Sequence, residues 1–564
     1  MRLIVVVAAG LLVGCQPEPE PSTSTGGTTS GSNGSALEAP PLWGAPLEPL
    51  SDGRFAIPDA ESDSVFVVKG QTSSRIRFPE GSRPSRVVAT NGDLAVLLRG
   101  SGQLARVAPK SGVVPPEALS FACSEPRGLA YDGAKDTVLV ACASGALVKV
   151  SPTERAVVNT DLELRDVLVV NGTTWVTTFR SAALHRLDAS GKVTSTLEAP
   201  KRALSGFTFT PRVAWRAVAD GSRVVMVHQL HLDQEVASFT NPTPVVPYYG
   251  RPLCDASVVT SAVTVFDTMT NTTATAPIVG AVPVDIAVDQ GKAAIALAGA
   301  GRVVEVDLGS PSFGCLSPTR TDGFGTVPIG VGYVNHELKW FDQSGKVHVP
   351  DAPEVKELGV VPVRAFDSGR QLFHAQSPSG VACASCHPEG YDDGHTWHFG
   401  NHTLRSQSLE GGLLKTAPFH WDGRLSSVKA VLDETFVRRM GGANPDLSQS
   451  DAVARWLDSV PARGGDGSFD RYAAKRGSVV FEDAQCGTCH SGEALTNGAT
   501  VDVGTGRAFQ VPSLKALRWR GPWMHDGCAK TLEQRFDPAC GGKSHGSTVA
   551  PEDLPDLIEY LKAL

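Results

Sequence analysis

Between residues 45 and 355 the sequence repeats one local pattern, a short apolar run that opens after a turn rich in Gly, Asp, Asn or Ser. Where no insertion intervenes, the runs recur about every 40 residues, and almost no helical periodicity interrupts them. They begin at Pro84, Pro126, Leu164, Trp215, Pro283 and Pro328. A unit of this length cannot bury its faces alone, so the pattern predicts an all-β propeller of six or seven blades over 45–358.

The rhythm of this region resembles the lactonase-like or YVTN-type seven-bladed propellers of exported bacterial proteins, and a pair of β-sandwiches is the alternative architecture. His228 and His231 are spaced so that they could be taken for a metal pair. In a strand, residues i and i+3 point to opposite faces, so a shared metal is disfavoured. We assign both histidines to the structure or to a contact between domains.

The N-terminus resembles a bacterial lipoprotein signal. An apolar run follows Arg2 and ends in Leu-Val-Gly-Cys at residues 12–15. Residues 16–40 contain no Lys or Arg and are almost all Pro, Glu, Ser, Thr and Gly, a composition that cannot form a core. We therefore expect a signal peptide over 1–14 and a disordered tether over 15–44, with a short buried strand as the alternative.

Acylated Cys15 would be the lipid anchor, and it would be the only membrane attachment, because no later segment has about 18 uninterrupted apolar residues. Gln16 after this cysteine resembles lipoproteins that are sorted to the outer membrane. The expected location is therefore the cell envelope of a Gram-negative bacterium, as an outer-membrane lipoprotein facing the periplasm or the surface.

Two Cys-x-x-Cys-His motifs lie in the C-terminal third, at Cys383, Cys386 and His387 and at Cys486, Cys489 and His490. In such motifs the thiols form thioethers to a porphyrin, and the histidine takes the proximal position on the iron. Nine of the fourteen histidines fall between His374 and His545. The sequence thus predicts two covalently attached haem c groups, whereas calcium is a possible cofactor that no motif supports.

The two motifs belong to a duplicated unit. Pro-Phe-His-Trp-Asp-Gly at 418–423 corresponds to Pro-Trp-Met-His-Asp-Gly at 522–527. Amphipathic helices are predicted around 453–460 and 554–561, where apolar residues recur at i, i+3, i+4 and i+7. We expect an all-α di-haem cytochrome c domain over 359–564, with lobes at about 359–462 and 463–564.

On the haem motifs, the Trp421–Arg424 block and the His525-Asp-Gly block followed by Thr-Leu-Glu at 531–533, residues 360–564 resemble the bacterial di-haem cytochrome c peroxidases. They also resemble the related di-haem enzyme that matures the methylamine dehydrogenase cofactor. The resemblance implies one electron-transfer haem and one haem with a distal site for peroxide.

In that family a glutamate soon after the Trp-Asp-Gly-Arg block handles protons, and a glutamine often precedes the block. The matching positions here are Lys429 and Phe419. A cation cannot shuttle protons as a carboxylate does, so this departure argues against peroxidase activity. Asp433 and Glu434 could compensate only if their helix presents them inward.

The sixth iron ligands are predicted from the repeat. Met440 lies 53 residues after His387, and His545 lies 55 residues after His490. We therefore predict His387 with Met440, and His490 with His545, with a solvated loop histidine as the alternative for His545. The position that supplies a Met ligand in the family is Ala539 here, so the usual ligand is missing. The remaining alternatives for the second iron are Met524, His525 and Cys540.

No catalytic residue is assigned; the candidates are His395, Trp421, Arg424 and His525. His395 stands in a Gly-His-x-Trp context near the place where the family has a removable ligand, and surface or propionate contacts are the alternative for it and for His398 and His402. Arg405 and Arg424 have the charge to pair haem propionates.

The six remaining cysteines predict three disulfides, although sequence cannot fix their connectivity. The expected pairs are Cys123 with Cys142, Cys254 with Cys315, and Cys528 with Cys540.

We expect a membrane-tethered di-haem cytochrome that exchanges electrons with a donor or acceptor protein, with the propeller as a docking or recognition module. The alternatives are a di-haem peroxidase acting on hydrogen peroxide or oxidising a partner and, more weakly, a protein whose propeller is the main binding module. A net charge of −8 with no basic patch argues against nucleic acid as a partner.

Overall fold

A computed structural model of the protein describes residues 39–236, 257–309, 315–351, 357–361, 366–400, 402–464, 469–540, 545 and 549–564. Seven sheets of four or five strands follow one another between residues 48 and 359. The inner strands of consecutive sheets contact one another, and the first sheet contacts the last. The structure therefore confirms the propeller and sets its number of blades at seven.

The strands are, in blade 1, β1 (Glu48–Pro49), β2 (Phe55–Asp59), β3 (Ser64–Lys69), β4 (Thr72–Arg77) and β8 (Gly112–Val113); in blade 2, β5 (Pro84–Ala89), β6 (Leu94–Leu98), β7 (Gln103–Val107) and β9 (Leu119–Phe121); in blade 3, β10 (Pro126–Asp132), β11 (Thr137–Cys142), β12 (Ala146–Val150) and β13 (Arg155–Asn159); in blade 4, β14 (Leu164–Val170), β15 (Thr173–Thr178), β16 (Ala183–Leu187) and β17 (Val193–Glu198); in blade 5, β18 (Arg202–Leu204), β19 (Phe207–Asp220), β20 (Arg223–Leu232), β21 (Val259–Asp267) and β22 (Thr272–Ile278); in blade 6, β23 (Pro283–Asp289), β24 (Lys292–Leu297), β25 (Arg302–Asp307) and β26 (Arg320–Asp322); and in blade 7, β27 (Pro328–Val334), β28 (Glu337–Asp342), β29 (Lys346–His348) and β30 (Glu357–Gly359).

The six repeated phrases of the sequence all lie on inner strands of blades 2 to 7. Five of them are the first residues of β5, β10, β14, β23 and β27, and Trp215 lies within the long β19. The ring closes through the segment before blade 1, because the Ala45 N–H donates to the Ile329 carbonyl at 2.6 Å. Residues 40–44, which composition assigned to the tether, are buried in this closure.

The region after the propeller mixes helices, short strands and long loops. Its helices are α1 (Ser368–His374), α2 (Cys383–Cys386), α3 (Val428–Val431), a π-helix (Leu432–Arg439), α4 (Leu447–Asp458), α5 (Arg471–Asp483) and α6 (Leu554–Ala563), and its strands are β31 (Thr396–Phe399), β32 (His402–Arg405), β33 (Thr500–Val501) and β34 (Phe509–Gln510). The prediction of an all-α domain is not confirmed, because frequent Gly and Pro residues keep the helices short and two antiparallel hairpins form. The region also has single 3-10 turns at Pro388–Gly390, Leu413–Thr416, Cys486–Thr488, Leu517–Trp519, Gln534–Phe536 and Pro538–Cys540. One further 3-10 turn, Pro116–Ala118, lies in the propeller.

Both predicted amphipathic helices are present. Helix α4 begins at a reciprocal cap between Asp446 and Gln449 and buries Val453, Trp456 and Leu457. Helix α6 buries Leu557, Ile558 and Leu561.

Each of these helices crosses a partner at a glycine, α4 against α1 and α6 against α5. A Cβ atom at Gly369 would overlap the Ala452 carbonyl, and one at Gly477 would overlap the Asp556 carbonyl. The duplicated unit therefore repeats the same close helix crossing in each lobe.

Two disulfides connect described residues. Cys123 and Cys142 join blade 2 to blade 3, and Cys528 is bonded to Cys540. Cys315 is disulfide-bonded, while Cys254, its predicted partner, lies outside the described residues, as does Cys15. Within the described parts of the chain, no helix is both long and apolar enough to cross a bilayer.

Candidate functional site

The first Cys-x-x-Cys-His motif lies on α2, and His387 follows the last turn of this helix. Cys383 and Cys386 are free thiols. The Nδ1 atom of His387 lies 3.3 Å from the Tyr391 carbonyl oxygen, a contact that places the proton on Nδ1 and leaves Nε2 for a metal. Burial lowers the pKa of His387, which keeps the ring in the neutral form that binds iron.

These three residues open onto a cavity of about 1130 Å³. Met440, at the end of the π-helix, lines the same cavity and is buried. The wall is mostly apolar and includes Phe373, Val381, Trp397, Phe419, Leu432, Phe436, Val453 and Leu457. The cavity exceeds the roughly 300–1,000 Å³ of typical ligand pockets, so its size and its donor set fit a haem group.

Four carboxylates line this cavity, Glu235, Glu410, Asp422 and Glu434, and of these only Glu434 lies on the segment that follows the Trp-Asp-Gly-Arg block. Glu434 accepts hydrogen bonds from Arg439 Nη2 at 2.8 Å and from Arg424 Nη2 at 3.2 Å. Lys429 is absent from the cavity lining and pairs with the partly exposed Asp433. Burial raises the pKa of Glu434, but the three arginines around it outweigh burial and lower it overall, so the carboxylate is charged at neutral pH.

The polar end of the cavity contains Arg405 and Arg520, both buried. Arg405 donates to the Arg520 carbonyl and lies 3.5 Å from Asp392. Arg424, the other predicted propionate partner, lines the cavity but is half exposed. His402 and His420 also line it; His420 went unnoticed in the sequence except as part of its block.

The second motif forms a 3-10 turn over Cys486–Thr488, and Cys486 and Cys489 are free thiols. His490 Nδ1 lies 3.4 Å from the Leu495 carbonyl oxygen. The ring of His545 faces that of His490 with their centroids 6.1 Å apart and their planes 17° from parallel. This gap is too wide for direct contact.

The gap does match a metal between the two rings. Two imidazole nitrogens at about 2 Å from one metal place the ring centroids roughly 6 Å apart. One ring nitrogen of His545 is buried without a hydrogen-bond partner, and Arg535 Nη1 fixes the residue by donating to its carbonyl at 2.9 Å. Burial lowers the pKa of His490 to about 4 and of His545 to about 3, so both rings are neutral.

Two of the three alternatives for the second iron, His525 and Cys540, have other partners. His525 stacks on Phe509 with ring centroids 4.1 Å apart and meets the edge of Trp421 at 6.4 Å. Cys540 is bonded to Cys528. Met524 has a left-handed backbone, as does His420 at the equivalent position of the first lobe.

The two blocks around these residues are equivalent in structure as well as in sequence. An isolated bridge pairs Phe419 with Leu425 in the first lobe, and one pairs Trp523 with Ala529 in the second. Trp421 Nε1 donates to the Arg405 carbonyl at 2.7 Å, which fixes the indole beside His525. Trp421 and His525 thus meet where the two lobes join.

His395, the candidate for a removable ligand, is absent from the cavity lining. Its Nε2 atom lies 3.2 Å from the Leu232 carbonyl of blade 5, and its ring lies against His231 and Trp397. His231 is therefore at a contact between the propeller and the haem region. His228 instead contacts Thr264 Oγ1 inside blade 5 at 2.7 Å.

Sequence reasoning missed the propeller residues that reach the first motif. Glu389, two residues after His387, forms ion pairs with Arg99 and Arg165 of blades 2 and 4. These partners are more than 220 positions away in the sequence, and no local pattern connects them. In the described segments, no group of three or more His, Cys, Asp or Glu side chains could hold a further metal ion.

No protein-family model matches the chain. The γ subunit of hydrazine synthase from Kuenenia stuttgartiensis is 29% identical over 255 residues, covering 32% of this chain and 72% of that protein. The methylamine utilization protein MauG of Methylorubrum extorquens is 28% identical over 276 residues, covering 35% and 76%. The cytochrome-c peroxidase IdrP2 of Denitromonas iodatirespirans is 24% identical over 334 residues, covering 42% and 89%.

The chain thus joins a seven-bladed propeller to a duplicated unit that has a Cys-x-x-Cys-His motif in each half. The C-terminal part of this chain is homologous to MauG, to the γ subunit of hydrazine synthase and to a cytochrome c peroxidase, which confirms the resemblance seen in the sequence. These relatives imply haem c as the cofactor.

Proposed function

We propose that the protein is an envelope-tethered di-haem cytochrome that passes electrons between its two haem c groups and a partner protein. The observation that carries the proposal is the pairing of each motif histidine with a second ligand-type side chain. His387 shares its cavity with Met440, and His490 faces His545 across 6.1 Å. Bound haem would supply an iron that takes up and releases single electrons.

The residues set a direction for the electrons. A Met ligand raises a haem reduction potential, whereas two His ligands do not. With haem bound, the site of His490 and His545 would have the lower reduction potential and would donate electrons to the site of His387 and Met440. Trp421 and His525 lie at the junction of the lobes, so their rings shorten the path between the two sites.

The remaining parts of the proposal concern location. Cys15, if acylated, would tether the chain to the outer membrane of a Gram-negative envelope and leave both haem sites free to meet a soluble donor or acceptor. The absence of the tether would change the location of the protein but not its electron transfer. Labelled fatty acid incorporated by the wild type and not by Cys15→Ala tests this part alone.

Spectroscopy of the oxidised holoprotein tests the ligand pairs. Magnetic circular dichroism in the near infrared separates His/Met from His/His ligation of low-spin haem. We expect one signal of each kind. Met440→Ala should remove only the His/Met signal and His545→Ala only the His/His signal; a single type of haem in the wild type would contradict the proposal.

A second candidate function is reduction of peroxide in the first cavity, and the placement of Glu434 favours it. This carboxylate lines the cavity beside Arg424 and Arg439 and is charged, so it can accept a proton from a bound peroxide. Its position makes up for Lys429 at the position where the family has glutamate.

Peroxide turnover tests this second function. With a reduced donor present, Glu434→Gln should slow peroxide consumption at least about a hundredfold, the usual contribution of a general base. Asp433→Asn is the matched control, because Asp433 is the adjacent carboxylate and is absent from the cavity lining. Wild-type protein that is inert towards peroxide in both the oxidised and the half-reduced state would exclude the second function and leave the first intact.

A further inference from the structure

Ion pairs with the propeller hold the loop that follows His387, the proximal histidine of the first motif. Arg99 donates to Glu389 twice, from Nη1 to Oε1 at 3.1 Å and from Nη2 to Oε2 at 2.5 Å. Arg165 donates from Nη1 to Oε1 at 2.6 Å. Glu389 is 0% exposed, and both arginines are buried. Charge-assisted bonds of this kind are among the strongest contacts that a side chain makes.

The arginines are held by three different blades. Arg99 directly follows β6 of blade 2, and Arg165 lies on the inner strand β14 of blade 4. The Nε atom of Arg165 donates to the Trp215 carbonyl of blade 5 at 2.8 Å. Because these strands are parts of a closed ring, the arginines cannot follow Glu389 if its loop shifts.

The backbone of Glu389 shows that the loop is fixed in an uncommon conformation. Its φ is 59° and its ψ is 19°, in the left-handed region that residues other than glycine rarely adopt. Such a conformation persists where the surroundings impose it. Only Pro388, whose ring restricts φ, separates Glu389 from His387, so the position of the carboxylate is transmitted to the histidine.

The second lobe provides an internal comparison. Glu493 follows His490 by three residues, but its side chain is 72% exposed and pairs with the exposed Lys415 at 2.6 Å. Residues 491–493 are exposed. The propeller thus binds the loop that follows His387 in the first motif, while the corresponding loop after His490 in the second motif faces solvent.

We infer that the propeller is a positioning scaffold for the first haem site, in which Arg99 and Arg165 hold Glu389 and thereby fix the orientation of His387. These three are positioning residues, since none of them touches the iron. The inference rests on the proposed function, in which His387 is the proximal ligand. It gives the propeller a role inside the haem site in addition to any docking role.

The test uses full-length holoprotein with Glu389→Gln, and Glu61→Gln as the matched control. Glu61 also links the propeller to the haem region, through Arg370 Nη2 at 2.7 Å, but it contacts α1 and not the proximal loop. The readouts are the reduction potential of each haem, from spectroelectrochemistry, and hydrogen exchange of the amides of residues 389–393.

In Glu389→Gln the potential of the first haem should rise, because two buried cations lose their negative partner and favour the reduced iron. The potential of the second haem should stay unchanged, and amide exchange of residues 389–393 should become roughly tenfold faster. Glu61→Gln should leave both potentials and this exchange at wild-type values, even if it lowers the unfolding temperature.

An unchanged first potential and unchanged exchange in Glu389→Gln that carries both haems would overturn the inference. If that variant does not fold, Arg99→Lys takes its place, because it keeps the charge and removes the two-point contact. It should speed exchange of the loop with a smaller change in potential; wild-type exchange would overturn the inference. Wild-type protein without haem at Cys383 and Cys386 would instead overturn the proposed function itself.

Discussion

Replacing Arg463 by methionine should destabilise the haem region by about 3–5 kcal/mol, the cost of leaving a buried charge without its partner. Arg463 binds Glu410 through Nη2 at 2.8 Å, through Nε at 3.0 Å and through its backbone N–H at 2.9 Å. Both side chains are 0% exposed. After the substitution Glu410 keeps the backbone N–H of residue 463 and the Ser408 hydroxyl as donors but loses both guanidinium bonds, and Arg520, at 3.9 Å, is too far to replace those two.

The assay is urea unfolding of the holoprotein at neutral pH, followed by the Soret absorbance. Arg476→Met is the matched control, because Arg476 also contacts its carboxylate partner, Asp556, through two nitrogens but at an exposed site. Screening by water makes such a surface pair nearly neutral to stability, so the control should unfold like the wild type.

The loss of stability in Arg463→Met should also depend on pH. Burial raises the pKa of Glu410, but Arg463 outweighs burial and holds the pKa below its usual value of 4.5. A lowered pKa means that the pair stabilises the folded state fully above pH 4.5 and progressively less as the pH falls through the lowered value. A loss in Arg463→Met that is no larger than in Arg476→Met at neutral pH would refute this reasoning.

Three further predictions concern the haem sites. Met440→Ala should open the sixth position of the first haem, so that carbon monoxide binds to the reduced protein at one haem per chain where the wild type binds none. His545→Ala should make the second haem high-spin in electron paramagnetic resonance, whereas His525→Ala should leave its spin state unchanged. In the pH profile of any peroxide turnover, Glu434→Gln should remove the fall in rate at acidic pH, because the group whose protonation causes that fall is gone. The fall at alkaline pH should change little.

The propeller could be predicted from the sequence because its signal is periodic. The phrases that begin at Pro84, Pro126 and Pro283 each open the inner strand of their own blade. The number of blades could not be fixed, because blade 5 has longer strands than the others and the first blade lacks the phrase. The way in which the blades far apart in the sequence meet depends on closure of the ring, and no local sequence pattern shows it.

The haem motifs and the proximity of His490 and His545 could also be predicted from the sequence, because both depend on spacing within one repeat. For the distal carboxylate the sequence offered Asp433 and Glu434 as alternatives, and only the structure shows that Glu434 lines the cavity. Counting from the Trp-Asp-Gly-Arg block leads to Lys429, whereas the carboxylate at the cavity wall is carried by the π-helix over Leu432–Arg439, which the sequence did not predict. Contacts such as Glu389 with Arg99 join residues 290 positions apart, and only the folded ring brings them together.

The most direct test of the account is the mass of the intact, denatured protein purified from a host that attaches haem c. Haem c remains bound through its thioethers when the chain unfolds, so the mass counts the groups. We predict two haem additions in the wild type, one in Cys383→Ala with Cys386→Ala and one in Cys486→Ala with Cys489→Ala. A wild-type mass that corresponds to one haem or none would contradict the account.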